Sequence, residues 1–270
     1  MTSVVKFGGE LLEDAGRLQA LAAALARAGA RGAPVVVHGG GREIDAALAR
    51  AGIVKRQVEG IRITDAATRD VVVEVLAGTV NTRLVAAIGA AGGRAVGLTG
   101  ADGSLVAVEQ AAPHTTVDGR TVDLGLVGRP VGNQRPSLVL DLIERGYVPV
   151  ICSIGVGPGG TLFNVNADTM AGHLAARLRA TRLVIAGATA GVLDEAGHTI
   201  RDLDRAAADR LVRSGVASAG MIAKLRACSD ALEAGVNEVV LVDGRDAATV
   251  AAVLDSREAA AALPATRMVA

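Results

Sequence analysis

The sequence predicts an α/β fold, a three-layer αβα sandwich with an open, mainly parallel central sheet and one β-hairpin beside it. Two observations predict this class. Apolar runs that suit strands alternate with helical patterns along the whole 270-residue chain, as in sheets built from strand–helix–strand units. The strand-like runs are also continuously apolar, which is typical of a sheet covered by helices on both faces.

The first elements follow from apolar runs and from the glycines that end them. The first run, residues 4–7, ends at two glycines, and the second run, residues 33–37, ends at three. Leucines and alanines at helical spacing predict the helices that lie between and after these strands, at 13–29, 43–52 and 65–91. Asp65 is the expected N-cap of the last of these helices.

The rest of the chain repeats the alternation. Further apolar runs predict strands at 94–98, 148–153, 182–186 and 238–242. Helical spacing predicts helices at 135–146, 167–178, 204–214, 220–235 and 246–256. The exception is 104–128, where valines alternate with polar residues around Asp118 and Gly119, a pattern typical of a hairpin. We place the division between two lobes after the helix at 167–178, which gives lobes of 1–179 and 180–270.

Composition and charge argue against several classes of protein. The 28 basic residues balance the 28 acidic ones, and the chain has three aromatic residues, so nucleic acid or an anionic membrane is not the expected partner. No apolar run of about 18 residues is free of charge, and the N-terminus does not resemble a signal peptide. Two cysteines make no disulfide framework, and four scattered histidines predict no metal site. We therefore expect a cytoplasmic protein.

Lysine is rare in this chain. Only Lys6, Lys55 and Lys224 are lysines, and the other 25 of the 28 basic residues are arginines. A lysine kept in such a chain is a candidate for a role that needs a compact ammonium group, which a guanidinium cannot imitate. Lys6 and Lys224 are the first candidates.

Two glycine loops predict an anion-binding site. Gly8 and Gly9 follow the first strand, and residues 39–41 follow the second. In open α/β sheets ligands bind at this edge, where glycine lets backbone N–H groups approach an anion and a helix N-terminus attracts it. Two loops suggest a ligand of polyphosphate size. The alternative is that the glycines only make tight turns.

The common nucleotide-binding motifs do not fit. The chain has no G-x-x-x-x-G-K-[ST] segment, which excludes a P-loop NTPase. Residues 155–160 match G-x-G-x-x-G, but Pro158 removes a backbone donor, no helix is predicted to follow, and no ribose-binding acid lies at the expected distance. We interpret this segment as a loop.

Six motifs in a fixed order resemble those of the amino acid kinase family. They are Lys6-Phe7-Gly8-Gly9, Val37-His38-Gly39-Gly40-Gly41, Gly60-Ile61-Arg62-Ile63-Thr64-Asp65, Asp123-Leu124-Gly125-Leu126-Val127-Gly128, Asn164-Val165-Asn166-Ala167-Asp168 and Gly220-Met221-Ile222-Ala223-Lys224. The resemblance covers nearly the whole chain, and within the family it indicates the branch that acts on N-acetyl-L-glutamate. It implies ATP-dependent phosphorylation of the side-chain carboxylate to an acyl phosphate, the second step of arginine biosynthesis.

The resemblance assigns the catalytic roles. It makes Lys6 and Lys224 the lysines that stabilise the transition state, and it makes Asp168 the residue that holds both. The chemistry agrees, because a glutamate carboxylate with a pKa of about 4.3 is already ionised at pH 7 and needs no general base. Phosphoryl transfer then depends on positioning and on positive charge around the transferred group.

The resemblance also assigns the acceptor site. Gly40 and Gly41 would contact the acyl amino acid, Arg62 would bind its α-carboxylate through a planar fork, and Asn164 would bind its α-amido region. The hairpin at 104–128 would be the lid over this site.

The same resemblance predicts the nucleotide site. The expected ligand is ATP with Mg²⁺, the cation being held mainly by the phosphates. The residues assigned to this site are Gly8, Gly9, Ala188, Gly191, Val216, Ser218, Gly220 and Met221. The chain departs from the family here, because Gly187 and Ala188 stand where a hydroxyl residue and an aspartate are usual. We expect a working ATP site with altered contacts.

Each assignment has a structural alternative. Lys6 could extend its amine to solvent, Asp168 could cap a helix, and Asn164 could satisfy a turn. Arg62 could form a solvated ion pair with Glu59 or Asp65.

Other functions compete with this one. A related kinase could act on N-succinylglutamate, N-acetyl-aminoadipate or a carrier-linked amino acid, and a non-catalytic module could only sense its ligand. We expect a homodimer through the helix at 65–91, by resemblance. Because the first strand begins at Ser3, without the preceding helix of arginine-inhibited relatives, we expect insensitivity to arginine.

Overall fold

The computed structural model describes residues 2–30, 32, 34–116, 118–194, 196–214, 219–255 and 263–269. Its strands, numbered in chain order, are β1 (Ser3–Phe7), β2 (Pro34–His38), β3 (Gln57–Val58), β4 (Ile61–Arg62), β5 (Ala95–Leu98), β6 (Val108–Gln110), β7 (His114–Thr115), β8 (Thr121–Val122), β9 (Gly128–Pro130), β10 (Val148–Cys152), β11 (Ile154–Val156), β12 (Leu162–Asn164), β13 (Arg182–Gly187), β14 (Asp202–Leu203), β15 (Glu238–Asp243) and β16 (Thr266–Val269).

Eight of these strands form the central sheet. Their order is β14-β16-β15-β13-β1-β2-β10-β5, and the six from β15 to β5 are parallel to one another. Strand β16 runs antiparallel to β15, and β14 pairs with β16. The prediction of a mainly parallel sheet is confirmed. The two short edge strands β14 and β16 were not predicted.

The described helices are α1 (Ala15–Gly29), α2 (Gly41–Arg50), α3 (Ala66–Val73), α4 (Asn81–Ala90), α5 (Ser137–Glu144), α6 (Ala167–Leu178), α7 (Arg205–Ser214), α8 (Ala219–Glu233) and α9 (Ala247–Asp255). A π-helical stretch, Glu74–Val80, joins α3 to α4, so residues 66–90 form one helix, as predicted. Asp65 caps it, because its carboxylate accepts a hydrogen bond from the backbone N–H of Thr68 at 2.8 Å.

The helices cover both faces of the sheet, as the three-layer prediction requires. Successive strand residues point to opposite faces. Val4 in β1 therefore packs in the core on the α6 and α8 side, whereas Val5 and Phe7 pack in the core on the α1, α4 and α9 side. Lys6 shares the face of Val4, and this alternation directs its side chain towards α6 and α8.

The predicted hairpin is present and slightly displaced from the expected 104–128. Strand β6 pairs with β9 and β7 pairs with β8, both antiparallel. The returning segment then joins the β4–α3 connection, because the N–H of Leu126 donates to the carbonyl of Thr64 at 2.6 Å. Its role as a lid stays a prediction.

Two smaller hairpins were not predicted. Strands β3 and β4 pair with each other, as do β11 and β12. Residues 155–160, interpreted above as a loop, extend from β11 into the turn between β11 and β12. The close packing of a hairpin explains one of these glycines, since a Cβ on Gly157 would lie 2.5 Å from the ring of Phe163.

The helix at 66–90 is long and apolar enough to cross a membrane by length and composition, and it is the one such helix among the described residues. Core helices of soluble proteins pass the same test, so this evidence is weak.

The central sheet runs through both predicted lobes, since β1 pairs with β13. The division of function at residue 179 stays a prediction.

Candidate active site

The candidate site lies at the carboxyl ends of β1, β2 and β13. These strands are parallel neighbours, so the segments that follow them meet at one edge of the sheet. The N-terminus of α6 joins them, because a Cβ on Gly39 would lie 3.5 Å from the Cβ of Ala167. The sequence assigned most of its site residues to these four segments, and the fold brings them together.

Lys6 and Asp168 form a buried ion pair at this edge. The Lys6 Nζ lies 2.8 Å from Asp168 Oδ1, and both side chains are less than a tenth exposed. The two groups carry opposite charge, so the contact is an ion pair. The alternative in which Lys6 extends to solvent is wrong.

Asp168 does not cap its own helix. The cap of α6 is Asn166, whose Oδ1 accepts hydrogen bonds from the backbone N–H groups of Asp168 and Thr169 at 2.9 and 3.0 Å. The Asp168 carboxylate therefore remains available to Lys6.

Lys224 on α8 lies beside the end of β13. A Cβ on Gly187, at the end of β13, would lie 3.6 Å from Lys224 Cε. Burial raises the pKa of the Cys228 thiol, Asp168 adds to this increase, and Lys224 and Lys6 oppose it. Among the described residues, Asp168 pairs with Lys6 and forms no ion pair with Lys224.

The two glycine loops touch each other. A Cβ on Gly9 would lie 2.6 Å from the Cα of Gly40, so the backbone contact requires glycine at position 9. A Cβ on Gly40 would lie 2.9 Å from Leu76, whereas one on Gly41 would meet no atom within 4 Å. Gly8 anchors its loop to β13 through a hydrogen bond from its N–H to the carbonyl of Ala186 at 3.2 Å.

His38, the last residue of β2, contacts the second glycine loop. It is fully buried, its Nδ1 lies 3.1 Å from the carbonyl of Gly39, and its Nε2 lies 3.1 Å from Nδ2 of Asn81. Nδ1–H therefore donates to Gly39, and Nε2 accepts from Asn81. Burial lowers the pKa of His38 to about 4, so the imidazole is neutral at pH 7.

Arg62 lies beside the second glycine loop. Its Nη2 donates to Asp45 Oδ1 at 2.6 Å and to the carbonyl of Gly41 at 3.3 Å. The expected alternative, an ion pair with Glu59 or Asp65, is therefore wrong, since the partner is Asp45. No signal in the sequence indicated Asp45.

Asn164 is tied to the same region through Thr64. Its Nδ2 donates to Thr64 Oγ1 at 3.2 Å, and its backbone N–H donates to the carbonyl of Leu126 at 3.0 Å. Thr64 is fully buried and lies two residues after Arg62. The returning segment of the hairpin thus joins Arg62 and Asn164, two residues that are 102 positions apart in the sequence numbering.

The structure describes six of the eight residues predicted for the nucleotide site. Ala188 is exposed after β13, and Gly191 is buried with a φ of 100°, where a Cβ would lie 2.5 Å from Thr266 Oγ1. Gly220 and Met221 lie in the first turn of α8. Val216 and Ser218 fall outside the described residues. Among the described residues, no group of three or more His, Cys, Asp or Glu side chains is placed to hold a metal ion.

Comparison with known proteins establishes the family. The model of the amino acid kinase family matches residues 1–243. The chain belongs to the amino acid kinase family. An acetylglutamate kinase of Sphingopyxis alaskensis is 42% identical to it over 250 residues, which cover 90% of this chain and 82% of that protein. The resemblance that the six motifs indicated is therefore confirmed.

Solved structures support the same architecture. An N-acetylglutamate synthase from Neisseria gonorrhoeae, complexed with coenzyme A and N-acetyl-glutamate, has a TM-score of 0.82 at 24% identity, covering 100% of this chain and 59% of that chain. The carbamate kinase of Giardia has a TM-score of 0.66 at 14% identity, covering 99% of this chain and 98% of that one. At these identities the two structures establish the amino acid kinase fold alone.

Proposed function

We propose that this protein transfers the γ-phosphoryl group of ATP to the side-chain carboxylate of N-acetyl-L-glutamate, giving N-acetyl-L-glutamyl 5-phosphate in arginine biosynthesis. The observation that carries this proposal is the buried Lys6–Asp168 pair beside two touching glycine loops. The acetylglutamate kinase relative, 42% identical over most of both chains, supports the choice of substrate.

Positive charge is what this site supplies to the reaction. The acceptor carboxylate and the phosphoryl group are both anionic, and the transition state spreads negative charge over the transferred group. Lys6, which is paired with Asp168, would act from the acceptor side, and Lys224, which lies near the end of β13, would act from the nucleotide side. The two ammonium groups would stabilise this charge from opposite sides.

The acceptor would bind between the second glycine loop and the hairpin. Gly41 leaves open space above its backbone, Arg62 would pair with the α-carboxylate, and Asn164 would contact the acylated α-nitrogen region. The hairpin joins the Arg62 and Asn164 segments, which supports its proposed role as a lid. Residues 1–179 would then form the lobe for the acceptor and for dimerisation.

The nucleotide would bind over residues 180–270, with its phosphates at Gly8 and Gly9. Ala188, Gly191, Gly220 and Met221 border this region on β13 and α8, and Val216 and Ser218 are proposed to join them. Mg²⁺ would bridge the phosphates and offset their charge, and it typically keeps several waters when it does so.

We further propose a homodimer in the cytoplasm, formed through the helix at 66–90. Only 39% of the most apolar stretch of this helix is buried within the chain, which leaves apolar surface for a second copy. Replacing the exposed Ala86 by Arg should convert dimers to monomers in sedimentation analysis. The same change at the exposed Ala20 of α1 should have no effect.

The test is hydroxylamine trapping of an acyl phosphate. Protein, MgATP and hydroxylamine are incubated with N-acetyl-L-glutamate, and in parallel with N-succinylglutamate and N-acetyl-aminoadipate. We expect hydroxamate from N-acetyl-L-glutamate with the highest kcat/KM. Preference for another acceptor would assign the protein to a related kinase. Binding of N-acetyl-L-glutamate without hydroxamate or ADP would indicate a ligand-sensing module.

A further inference from the structure

Lys55 is the third of the rare lysines, and the proposed reaction assigns it no role. It lies between α2 and β3, and its Nζ is 2.7 Å from Asp45 Oδ2. Asp45 belongs to α2, one turn after Gly41. The ion pair therefore connects Lys55 to the helix that begins at the second glycine loop.

Asp45 uses its other oxygen for Arg62. Asp45 Oδ1 accepts a hydrogen bond from Arg62 Nη2 at 2.6 Å, and the same Nη2 donates to the carbonyl of Gly41 at 3.3 Å. One carboxylate thus joins two cations that lie seven residues apart. Because the carboxylate and the Gly41 carbonyl hold the same nitrogen, Nη2 is anchored beside the glycine loop.

Arg62 retains one donor group for another acceptor. Its side chain is 12% exposed, and within the described parts of the chain the buried Nη1 has no hydrogen-bond partner. A buried guanidinium nitrogen without an acceptor is costly, so this group calls for a partner such as a water molecule, an ion or a ligand. A ligand carboxylate would satisfy this nitrogen.

The charges of the cluster explain why Lys55 is needed. Burial raises the pKa of the Asp45 carboxyl, but hydrogen bonds and charge from Lys55 and Arg62 outweigh burial and leave that pKa below its usual range. Asp45 is therefore ionised at neutral pH. The three groups carry a net charge of about +1, so the cluster attracts an anion, whereas Asp45 and Arg62 alone would be neutral.

We propose that Asp45 is a positioning residue that aims Arg62 at the α-carboxylate of the acceptor, with Lys55 as the cation that holds Asp45 and keeps the cluster positive. The inference rests on the proposed function and deepens it, because it assigns the recognition of an N-acylated α-amino acid to a three-residue cluster. All three lysines of the chain then serve one site.

The test compares Asp45→Asn, Lys55→Met and the double variant with the wild type. Loss of a hydrogen bond to a charged group corresponds to ~10–100-fold in binding, so Asp45→Asn should raise the KM for N-acetyl-L-glutamate and its calorimetric Kd by that factor. The KM for ATP should stay within about twofold of the wild-type value. Lys55→Met, which removes a partly exposed partner, should raise the acceptor KM about fivefold or less.

Two further variants separate positioning from simple stability. Lys55→Arg keeps the charge and should restore most of the wild-type acceptor KM. The double variant should stay within about twofold of Asp45→Asn, because Lys55 acts mainly through Asp45. Asp70→Asn, at an exposed carboxylate paired with the neighbouring Arg69, is the matched control and should change neither KM.

The outcomes distinguish this inference from the proposed function. If the wild type neither binds nor phosphorylates N-acetyl-L-glutamate, the proposed function fails and the inference fails with it. If the wild type is active and Asp45→Asn leaves the acceptor KM and Kd unchanged, or raises the KM values of acceptor and ATP equally, only the inference is overturned.

Discussion

The proposed acceptor half and the proposed nucleotide half of the candidate site are built differently. On the acceptor side, Lys6 is paired with Asp168, Arg62 with Asp45, and Asn164 with Thr64. On the nucleotide side, the segment after β13 consists of small residues, and Lys224 forms no ion pair or hydrogen bond among the described residues. Contacts between polar side chains therefore fix the acceptor side, whereas backbone and small side chains form most of the nucleotide side.

This difference indicates which half of the site discriminates more strongly between ligands. Side chains fixed by mutual contacts lose little entropy when a ligand arrives, so they discriminate well between acceptors. A surface of glycine and alanine offers a nucleotide close approach and few side-chain contacts. We therefore expect the removal of a paired side chain on the acceptor side to affect both folding and function, and substitutions on the nucleotide side to leave folding nearly unchanged.

The two lysines proposed as catalytic give the sharpest contrast. Lys6→Met and Lys224→Met should each lower kcat by about 10²–10³-fold, the loss typical of removing one charge-stabilising group. Lys6→Met should also lower the free energy of unfolding by about 3–5 kcal/mol, because it leaves Asp168 buried and unpaired. Lys224→Met should stay within about 0.5 kcal/mol of the wild type. Urea unfolding and the hydroxamate assay measure both quantities.

A second substitution provides the control for the stability loss expected of Lys6→Met. Adding Asp168→Asn to Lys6→Met removes the unpaired charge, so stability should return while activity stays low. Equal stability losses for the two single lysine variants would contradict the asymmetry between the two halves.

The glycine loops allow a test within the acceptor half. Gly9→Ala places a Cβ 2.6 Å from the Cα of Gly40, and such overpacking should destabilise the protein by about 1–3 kcal/mol. Gly41→Ala meets no atom within 4 Å and should fold normally, but its methyl group should raise the KM for the acceptor. Thermal unfolding together with steady-state kinetics separates the two effects. A normal acceptor KM for Gly41→Ala would show that the ligand does not approach this position.

His38 predicts a pH dependence of stability. Its folded pKa is about 4, against an ordinary value of 6.5, so the unfolded chain binds more protons between these values. The contribution of His38 is therefore complete above pH 6.5 and is lost as the pH falls towards 4. Between pH 7 and pH 5 the loss should be about 2 kcal/mol.

The measurement is urea unfolding at both pH values for the wild type and His38→Asn. The variant retains a donor for the Gly39 carbonyl and cannot titrate in this range, so its stability should fall by about 2 kcal/mol less than that of the wild type on acidification. His198, whose side chain is 82% exposed, provides the control, and His198→Asn should behave as the wild type does. Identical pH dependence in His38→Asn would exclude this role for the histidine.

The smallest expected effect concerns the nucleotide half. The double change Gly187→Ser and Ala188→Asp restores the polar residues usual in the family. A Cβ at position 187 would be in ordinary contact with Lys224 Cε at 3.6 Å, so the protein should fold. The KM for ATP should fall by about two- to fivefold, the value of one exposed polar contact, with the acceptor KM unchanged. An increase in the KM for ATP would mean that the small residues are needed for nucleotide approach.

Sequence reasoning worked best where one local pattern decided the structure. Continuous apolar runs ended by glycine predicted the parallel strands, and helical spacing predicted α6 at its observed limits. The short strands β14 and β16 were missed because two- and four-residue strands carry little pattern of their own. Their pairing depends on β15, which supplies the edge against which β16 adds.

The site was predictable to the extent that its residues belong to motifs. The order of motifs identified the family, and the fold then brought Lys6, Asp168 and the glycine loops to one edge. The partners of the motif residues were not predictable, because Asp45 and Thr64 act through contacts that only the tertiary structure creates. The expected pairing of Arg62 with a residue near it in sequence failed for the same reason.

The most direct test of the proposed reaction traces the oxygen atoms of the acceptor carboxylate. N-acetyl-L-glutamate labelled with ¹⁸O in its side-chain carboxylate is incubated with the protein, MgATP and hydroxylamine. If that carboxylate attacks the γ-phosphorus, hydroxylamine cleaves the acyl carbon–oxygen bond, and the released phosphate carries one ¹⁸O atom. The account predicts this label in the wild type and its loss with Lys6→Met. Phosphate released without ¹⁸O would mean that the γ-phosphoryl group is transferred from ATP to water, with ADP as the leaving group, and it would contradict the proposed reaction.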